Sequence, residues 1–66
     1  MTHIIFYQNG ERKFELLDSN EARDYNILEF DEVCARPGVT KAELYFGNIP
    51  DRIYEMGGYI ICQKSK

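Results

Sequence analysis

The alternation of apolar and polar residues is clearest at the start of the chain. Two strand-like runs, residues 3–8 and 11–17, flank the dipeptide Asn9-Gly10. Asn-Gly is favoured in a two-residue type I′ turn, because both central positions of that turn need φ > 0. We therefore predict a β-hairpin in which Gln8 lies opposite Glu11.

The register of this hairpin decides which side chains are buried. With a two-residue turn, one face carries four apolar side chains that we expect to form the core: Ile5, Tyr7, Phe14 and Leu16. The opposite face carries Ile4 and Phe6 beside charged residues, so these two are either covered by another element or exposed. A three-residue turn would exchange the faces and bury Ile4 and Phe6 with Phe14. The two-residue turn is favoured.

The middle of the chain fits two interpretations. Residues 18–21 offer N-cap side chains and an early acid, which are typical of a helix start. Ile27, Phe30 and Cys34 have helical spacing, whereas residues 25–30 are rich in strand formers. We predict a helix that begins near Asn20 and keep a strand over residues 20–35 as the alternative. The sequence Arg36-Pro37-Gly38 ends either element.

The second half contains a further hairpin signal. Residues 40–43 match a capping box, but residues 42–46 could equally form a strand before Gly47-Asn48. Strand-like runs flank Gly57-Gly58, which predicts a second hairpin with Ile53 opposite Cys62 and Asp51 opposite Lys64. Both of its faces carry apolar groups, so we expect it to lie centrally in the sheet or to be covered on both sides.

Together these elements predict one small domain over residues 1–66 of the α+β class. Its antiparallel sheet is built from two β-hairpins, with turns at Asn9-Gly10 and Gly57-Gly58. One or two short helices lie between the hairpins and pack on one face of the sheet. The chain is 44% hydrophobic and 29% charged, which is typical of a folded domain.

The residues that carry chemistry are few and scattered. The one histidine, His3, lies near the chain start, and we interpret it as a strand-edge residue. Cys34 and Cys62 are read as packing residues, because neither lies in a CxxC motif or beside a cation. The sequence has no GxGxxG or GxxxxGK[ST] phosphate loop. We therefore expect no enzyme activity, no cofactor and no metal site.

The sequence also indicates a compartment. No signal-peptide pattern opens the chain, and no apolar run reaches the ~20 residues that span a bilayer. Two widely spaced cysteines suit a reducing environment, where a disulfide is not expected. We expect a cytoplasmic protein with no membrane association, in the host cytoplasm if it is phage-encoded.

Charge is unevenly distributed along the chain. The formal net charge is −3, which disfavours binding to nucleic acid. Residues 18–32 hold six carboxylates and one base, so the acidic charge is concentrated there. Such a stretch is usually a solvated helix face, but it also suits a basic groove on a partner. The predicted partner-binding residues are Asp24, Tyr25, Glu29, Asp31 and Glu32.

We therefore predict a small non-enzymatic protein-binding module, an inhibitor or regulator, that docks this acidic surface onto a basic site of a protein. In type, though not in any motif, the chain resembles many small phage-encoded proteins that block host enzymes. One alternative is a single-strand nucleic-acid binder that uses sheet aromatics such as Phe6 and Tyr54. Another is an accessory subunit whose apolar sheet face forms a homodimer.

Overall fold

The computed structural model describes residues 1–18, 20–55 and 58–61. It contains five strands and one helix, whose bounds are β1 Thr2–Gln8, β2 Glu11–Leu17, α1 Arg23–Cys34, β3 Val39–Phe46, β4 Ile49–Glu55 and β5 Gly58–Ile61. The strands form one antiparallel sheet in the order β2-β1-β3-β4-β5. The α+β class and its antiparallel sheet with a helix on one face are as predicted.

The first hairpin has the predicted turn and register. Gln8 lies opposite Glu11 and Ile5 lies opposite Phe14. Asn9 and Gly10 have φ values of 52° and 85°, as a type I′ turn requires at both central positions.

The assignment of the two faces of this hairpin was wrong. The buried core contains Ile4 and Phe6, whereas Phe14 is 50% and Leu16 is 59% exposed. The reason is the position of α1, which packs its buried side chains Phe30, Val33 and Cys34 on the other side of the sheet. Ile4 and Phe6 are thus covered by another element, the possibility left open for this register.

The core lies between α1 and the two central strands. Its buried members are Ile4 and Phe6 from β1, Val39, Ala42 and Leu44 from β3, and Phe30, Val33 and Cys34 from α1. Ile27 and Tyr54 are partly buried against them. The helical spacing of Ile27, Phe30 and Cys34 therefore predicted the buried stripe of α1.

The helix begins later than expected. Its N-cap residue is Ala22, which has no side-chain cap hydrogen bond, and its first helical residue is Arg23. The Asp18 carboxylate instead accepts a hydrogen bond from the backbone N–H of Asn20 at 2.9 Å. Such a side-chain turn satisfies the local backbone without helix and so delays the helix start.

The α1–β3 connection is fixed to the first hairpin turn. Gly38 has a φ of 84°, and its carbonyl accepts a hydrogen bond from the Asn9 backbone N–H at 3.0 Å. A Cβ on Gly38 would lie 2.3 Å from Asn9 Oδ1. Gln8 Nε2 also donates to the Pro37 carbonyl at 2.9 Å. These contacts hold the C-terminal end of α1 against the sheet.

Residues 40–46 form a strand and not a capped helix. β3 pairs with β1 on one side and with β4 on the other, so its backbone groups are used by the sheet. Gly47, with a φ of 68°, opens the two-residue turn to β4. Tertiary pairing thus overrides the local capping-box pattern.

The second hairpin is present, with a different register and place from those predicted. Tyr54 lies opposite Tyr59, an offset of two residues. Residues 56 and 57, Cys62 and Lys64 lie outside the described residues. The hairpin was also expected to lie centrally in the sheet or to be covered on both sides, whereas β5 is an edge strand and β1 and β3 are interior. The cause is the long-range pairing of β1 with β3, which no local pattern encodes.

Candidate functional site

The five predicted binding residues lie on one side of α1. Asp24, Asp31 and Glu32 are exposed, Tyr25 is 48% exposed and Glu29 is half-buried. At 3.6 residues per turn these positions fall on the arc opposite the buried stripe of Phe30 and Cys34. Residues that are close in the sequence therefore form one continuous surface on the helix.

Sequence reasoning missed a sixth member of this surface. Leu28 is 65% exposed and lies between the acidic side chains in helical spacing. An apolar side chain surrounded by charges is the arrangement found at the centre of many interfaces. We call this surface the acidic helix face, formed by Asp24, Tyr25, Leu28, Glu29, Asp31 and Glu32.

Tyr25 and Glu29 interact along the helix. A hydrogen bond to the Glu29 carboxylate raises the pKa of the Tyr25 hydroxyl, and the negative charges of Glu29 and Glu21 act in the same direction. The phenol therefore stays protonated at neutral pH and acts as a donor. Because the ring is half exposed, it presents both an apolar face and a polar tip to solvent.

At the C-terminal end of the acidic helix face, Glu32 forms an ion pair with Arg36. Arg36 binds Glu32 at 3.0 Å and Glu15 of β2 at 3.2 Å, and its guanidinium lies 5.6 Å from the centre of the Phe6 ring. The Glu32 hydrogen bond is the main cause of a raised Arg36 pKa. Asp24 and Asp31 make no such side-chain contact with the described residues, so their charges remain uncompensated.

Beside this surface a cleft of about 330 Å³ opens between the end of β2, the β2–α1 connection and the first half of α1. We call it the acidic cleft. Its lining contains four carboxylates and no base among the described residues: Glu15, Leu16, Leu17, Asp18, Glu21, Tyr25, Asn26 and Glu29. Tyr25 and Glu29 belong to both the cleft and the acidic helix face, so the two are continuous.

Asn26 is the unusual residue of the cleft. It is 2% exposed, and its Oδ1 accepts no hydrogen bond from any described residue. A buried polar atom without a partner costs about 1–3 kcal/mol, so such an atom calls for an explanation. The signal in the sequence is a polar residue next to Ile27 and four positions before Phe30, which places it within the buried stripe of α1.

The uncovered side of the sheet carries a second group of side chains. We call it the open sheet face, formed by His3, Ile5, Tyr7, Arg12, Phe14, Leu16, Lys41, Glu43, Tyr45, Ile53 and Glu55. No described helix packs on this face. At its centre the His3 ring stacks between Phe14 at 5.1 Å and Tyr45 at 5.0 Å.

The stack corrects the expectation for His3. It was interpreted as a strand-edge residue, but β1 is interior to the sheet and His3 is half-buried. Its ring bridges neighbours on both adjacent strands, and its Nδ1 is buried without a hydrogen-bond partner in the described part of the chain.

The residues offered for nucleic-acid stacking are placed differently from what that alternative requires. Phe6 is 3% exposed beneath α1, and Tyr54 is partly buried on the same covered side. Neither ring can receive a base. On the open sheet face both sides of the His3 ring are already occupied by neighbouring rings.

No group of metal-ligating side chains is found within residues 1–18, 20–55 and 58–61. Within the same ranges no helix is long and apolar enough to cross a bilayer. Cys34 is buried in the core, and Cys62 lies beyond the described ranges. Comparison with protein-family models, curated proteins and solved structures finds no match.

Proposed function

We propose that this protein is a non-enzymatic binding module, an inhibitor or regulator, whose acidic helix face docks on a basic surface of a protein partner. One observation carries the proposal: the carboxylates of α1 share a single exposed face around Leu28 and Tyr25. Uncompensated charges there steer a basic partner, and the central apolar and aromatic groups supply contact area.

Charge reversal tests this proposal without disturbing the fold. Asp24→Lys with Asp31→Lys changes two exposed side chains that make no ion pair among the described residues. The matched control, Glu11→Lys with Glu55→Lys, makes the same charge change on exposed strand residues away from α1. The control should melt within a few degrees of the parent, because surface substitutions usually change stability by about 0.5 kcal/mol or less. The Asp24/Asp31 variant should melt a few degrees lower still, because Asp24 is the acid of the first turn of α1 and its loss removes about 0.3–1 kcal/mol of helix-dipole stabilisation.

The three proteins then serve as baits in cell extract from the source organism, and mass spectrometry identifies what each one retains. A protein retained by the parent and the control but lost by the Asp24/Asp31 variant is the expected partner. With that partner purified, calorimetry should show an affinity loss of about tenfold or more, and weaker binding at higher salt. Equal retention by all three baits would contradict the proposal.

The open sheet face favours a second candidate function, self-association as a homodimer. Phe14 and Leu16 are 50% and 59% exposed on adjoining positions of this face. Its charges balance, with Arg12 and Lys41 against Glu43 and Glu55, so two copies could meet there without net repulsion. This contrasts with the acidic helix face, where two copies would repel each other.

Two exposed apolar residues separate the candidates. Phe14→Lys should convert a dimer to a monomer in sedimentation analysis and leave partner capture intact, because Phe14 does not line the acidic cleft. Leu28→Lys should abolish partner capture and leave a dimer intact. A parent protein that remains monomeric at high micromolar concentration would exclude the homodimer.

A further inference from the structure

We infer that the acidic cleft binds an arginine side chain contributed by the protein partner. The inference rests on the proposed function and gives it a specific chemical target. Two independent observations carry it: the charge of the cleft lining, and the unpartnered amide oxygen of Asn26.

The first observation is that the charged side chains of the cleft lining are all acidic. Four carboxylates line it, and none of its described lining residues is basic. Glu15 is paired with Arg36. Asp18, Glu21 and Glu29 have no cationic partner among the described residues. A concave site with this charge attracts and orients a cation.

The second observation indicates where a donor is missing. Asn26 lines the cleft, and its buried Oδ1 is an acceptor without a donor among the described residues. A hydrogen-bond donor that entered the cleft, with a small shift of the lining side chains, would satisfy it. Such an unpaired buried group calls for an explanation, and a hydrogen-bond donor supplied by a ligand in the adjoining cleft is the one we infer.

The chemistry of the lining favours a guanidinium over other cations. The carboxylates do not form a group that could hold a metal ion. A guanidinium instead carries five N–H donors in a rigid plane and can reach several separated acceptors at once. A lysine ammonium is a compact charge that cannot bridge them as well. The half-exposed Tyr25 ring at the cleft wall offers a surface for stacking the guanidinium.

The test uses small probes that carry the side chain alone. The ¹⁵N-labelled protein is titrated by NMR with N-acetyl-arginine amide, N-acetyl-lysine amide and N-acetyl-citrulline amide, the last being the neutral counterpart of arginine. Arginine should shift the amide signals of Asp18, Glu21 and Asn26 saturably, with a Kd on the order of 1–10 mM. Lysine should bind several-fold more weakly, and citrulline should give no saturable shift.

Variants separate a binding role from a structural one. Asn26→Leu removes the unpaired oxygen and should weaken arginine binding about tenfold while the melting temperature stays equal or rises. If that variant fails to fold, Glu21→Gln provides a second test. Its position is exposed, so it should also weaken arginine binding without any effect on stability. Glu11→Gln, at an exposed strand position outside both the cleft and the acidic helix face, is the matched control and should bind as the parent does.

Three results would overturn the inference: no saturable shift with arginine at about 50 mM, equal binding of citrulline, or undiminished binding by both cleft variants. Its failure is distinguishable from failure of the proposed function. If the Asp24/Asp31 reversal abolishes partner capture but arginine amide does not bind, the acidic helix face is the docking surface and the cleft is not an arginine site.

Discussion

Gly38 provides a sharp test of how the helix is anchored to the sheet. Its φ of 84° is a conformation that an L side chain rarely adopts, and a Cβ there would lie 2.3 Å from Asn9 Oδ1. Gly38→Ala therefore introduces two separable costs. One is the left-handed backbone conformation, and the other is the collision with the Asn9 side chain.

The magnitude of each cost follows from the geometry. A left-handed alanine costs about 1–2 kcal/mol. The Asn9 side chain is exposed and can rotate, so the collision adds about 0.5–1.5 kcal/mol, the cost of a side chain displaced from its preferred rotamer. The sum of about 1.5–3.5 kcal/mol corresponds to a fall in melting temperature of about 6–25 °C for a domain of this size.

Gly10→Ala is the control for the backbone term. Gly10 has a φ of 85°, but nothing lies within 4 Å of a Cβ placed on it. Its substitution should therefore cost the conformational term alone, about 1–2 kcal/mol. The difference between the two variants measures the collision with Asn9.

Urea denaturation of the single and double variants completes the test. Asn9→Gly removes the colliding side chain and still permits a type I′ turn. In that background Gly38→Ala should cost about 0.5–1.5 kcal/mol less than in the parent, and this difference is the coupling energy between the two positions. The same cost in both backgrounds, or equal costs for Gly10→Ala and Gly38→Ala, would refute the collision and its magnitude.

Two further predictions concern charged contacts. Because its folded-state pKa is raised, Tyr25 should remain protonated to higher pH than a free tyrosine, so its contribution to stability is present below about pH 10 and is lost as the hydroxyl ionises. Ultraviolet titration of the parent against Tyr25→Phe isolates this residue, and Glu29→Gln should return its midpoint toward the ordinary value; an unmoved midpoint would disprove the contact. Asp51 is 9% exposed and is bound by Arg23 and by Arg52. Asp51→Ala should therefore lower the free energy of unfolding by about 1–3 kcal/mol. A melting temperature within about 2 °C of the parent would show that solvent screens these ion pairs.

The parts of the fold that local chemistry encodes were predictable. Asn9-Gly10 specified a turn type and therefore a register, and the spacing of Phe30 and Cys34 specified the buried side of a helix. The burial of Ile4 and the exposure of Phe14 were not predictable in this way. A two-sided apolar hairpin does not encode which face the helix covers, since that depends on where the helix returns to the sheet.

The candidate site shows the same division. The acidic stretch was visible in the sequence, because residues three and four apart on one helix remain neighbours when it folds. The cleft was not visible, because it joins α1 to the end of β2 through a connection whose path sequence does not specify. Asn26 could have been noticed as a polar residue at a buried position, and its unpaired oxygen becomes evident from the three-dimensional packing.

The interior position of β1 also determines the order in which the fold can be completed during synthesis. β1 leaves the ribosome first, yet Ile4 pairs with Leu44, so the sheet cannot close until β3 has emerged. Until then α1 and the β1–β2 hairpin lack Val39, Ala42 and Leu44 of β3, which complete the core between them. Their apolar side chains remain exposed, a state that is prone to aggregation. A chain truncated before β3 would therefore expose the apolar side chains of the hairpin and of α1 and should aggregate, and the native sheet should form only once β3 has been synthesised.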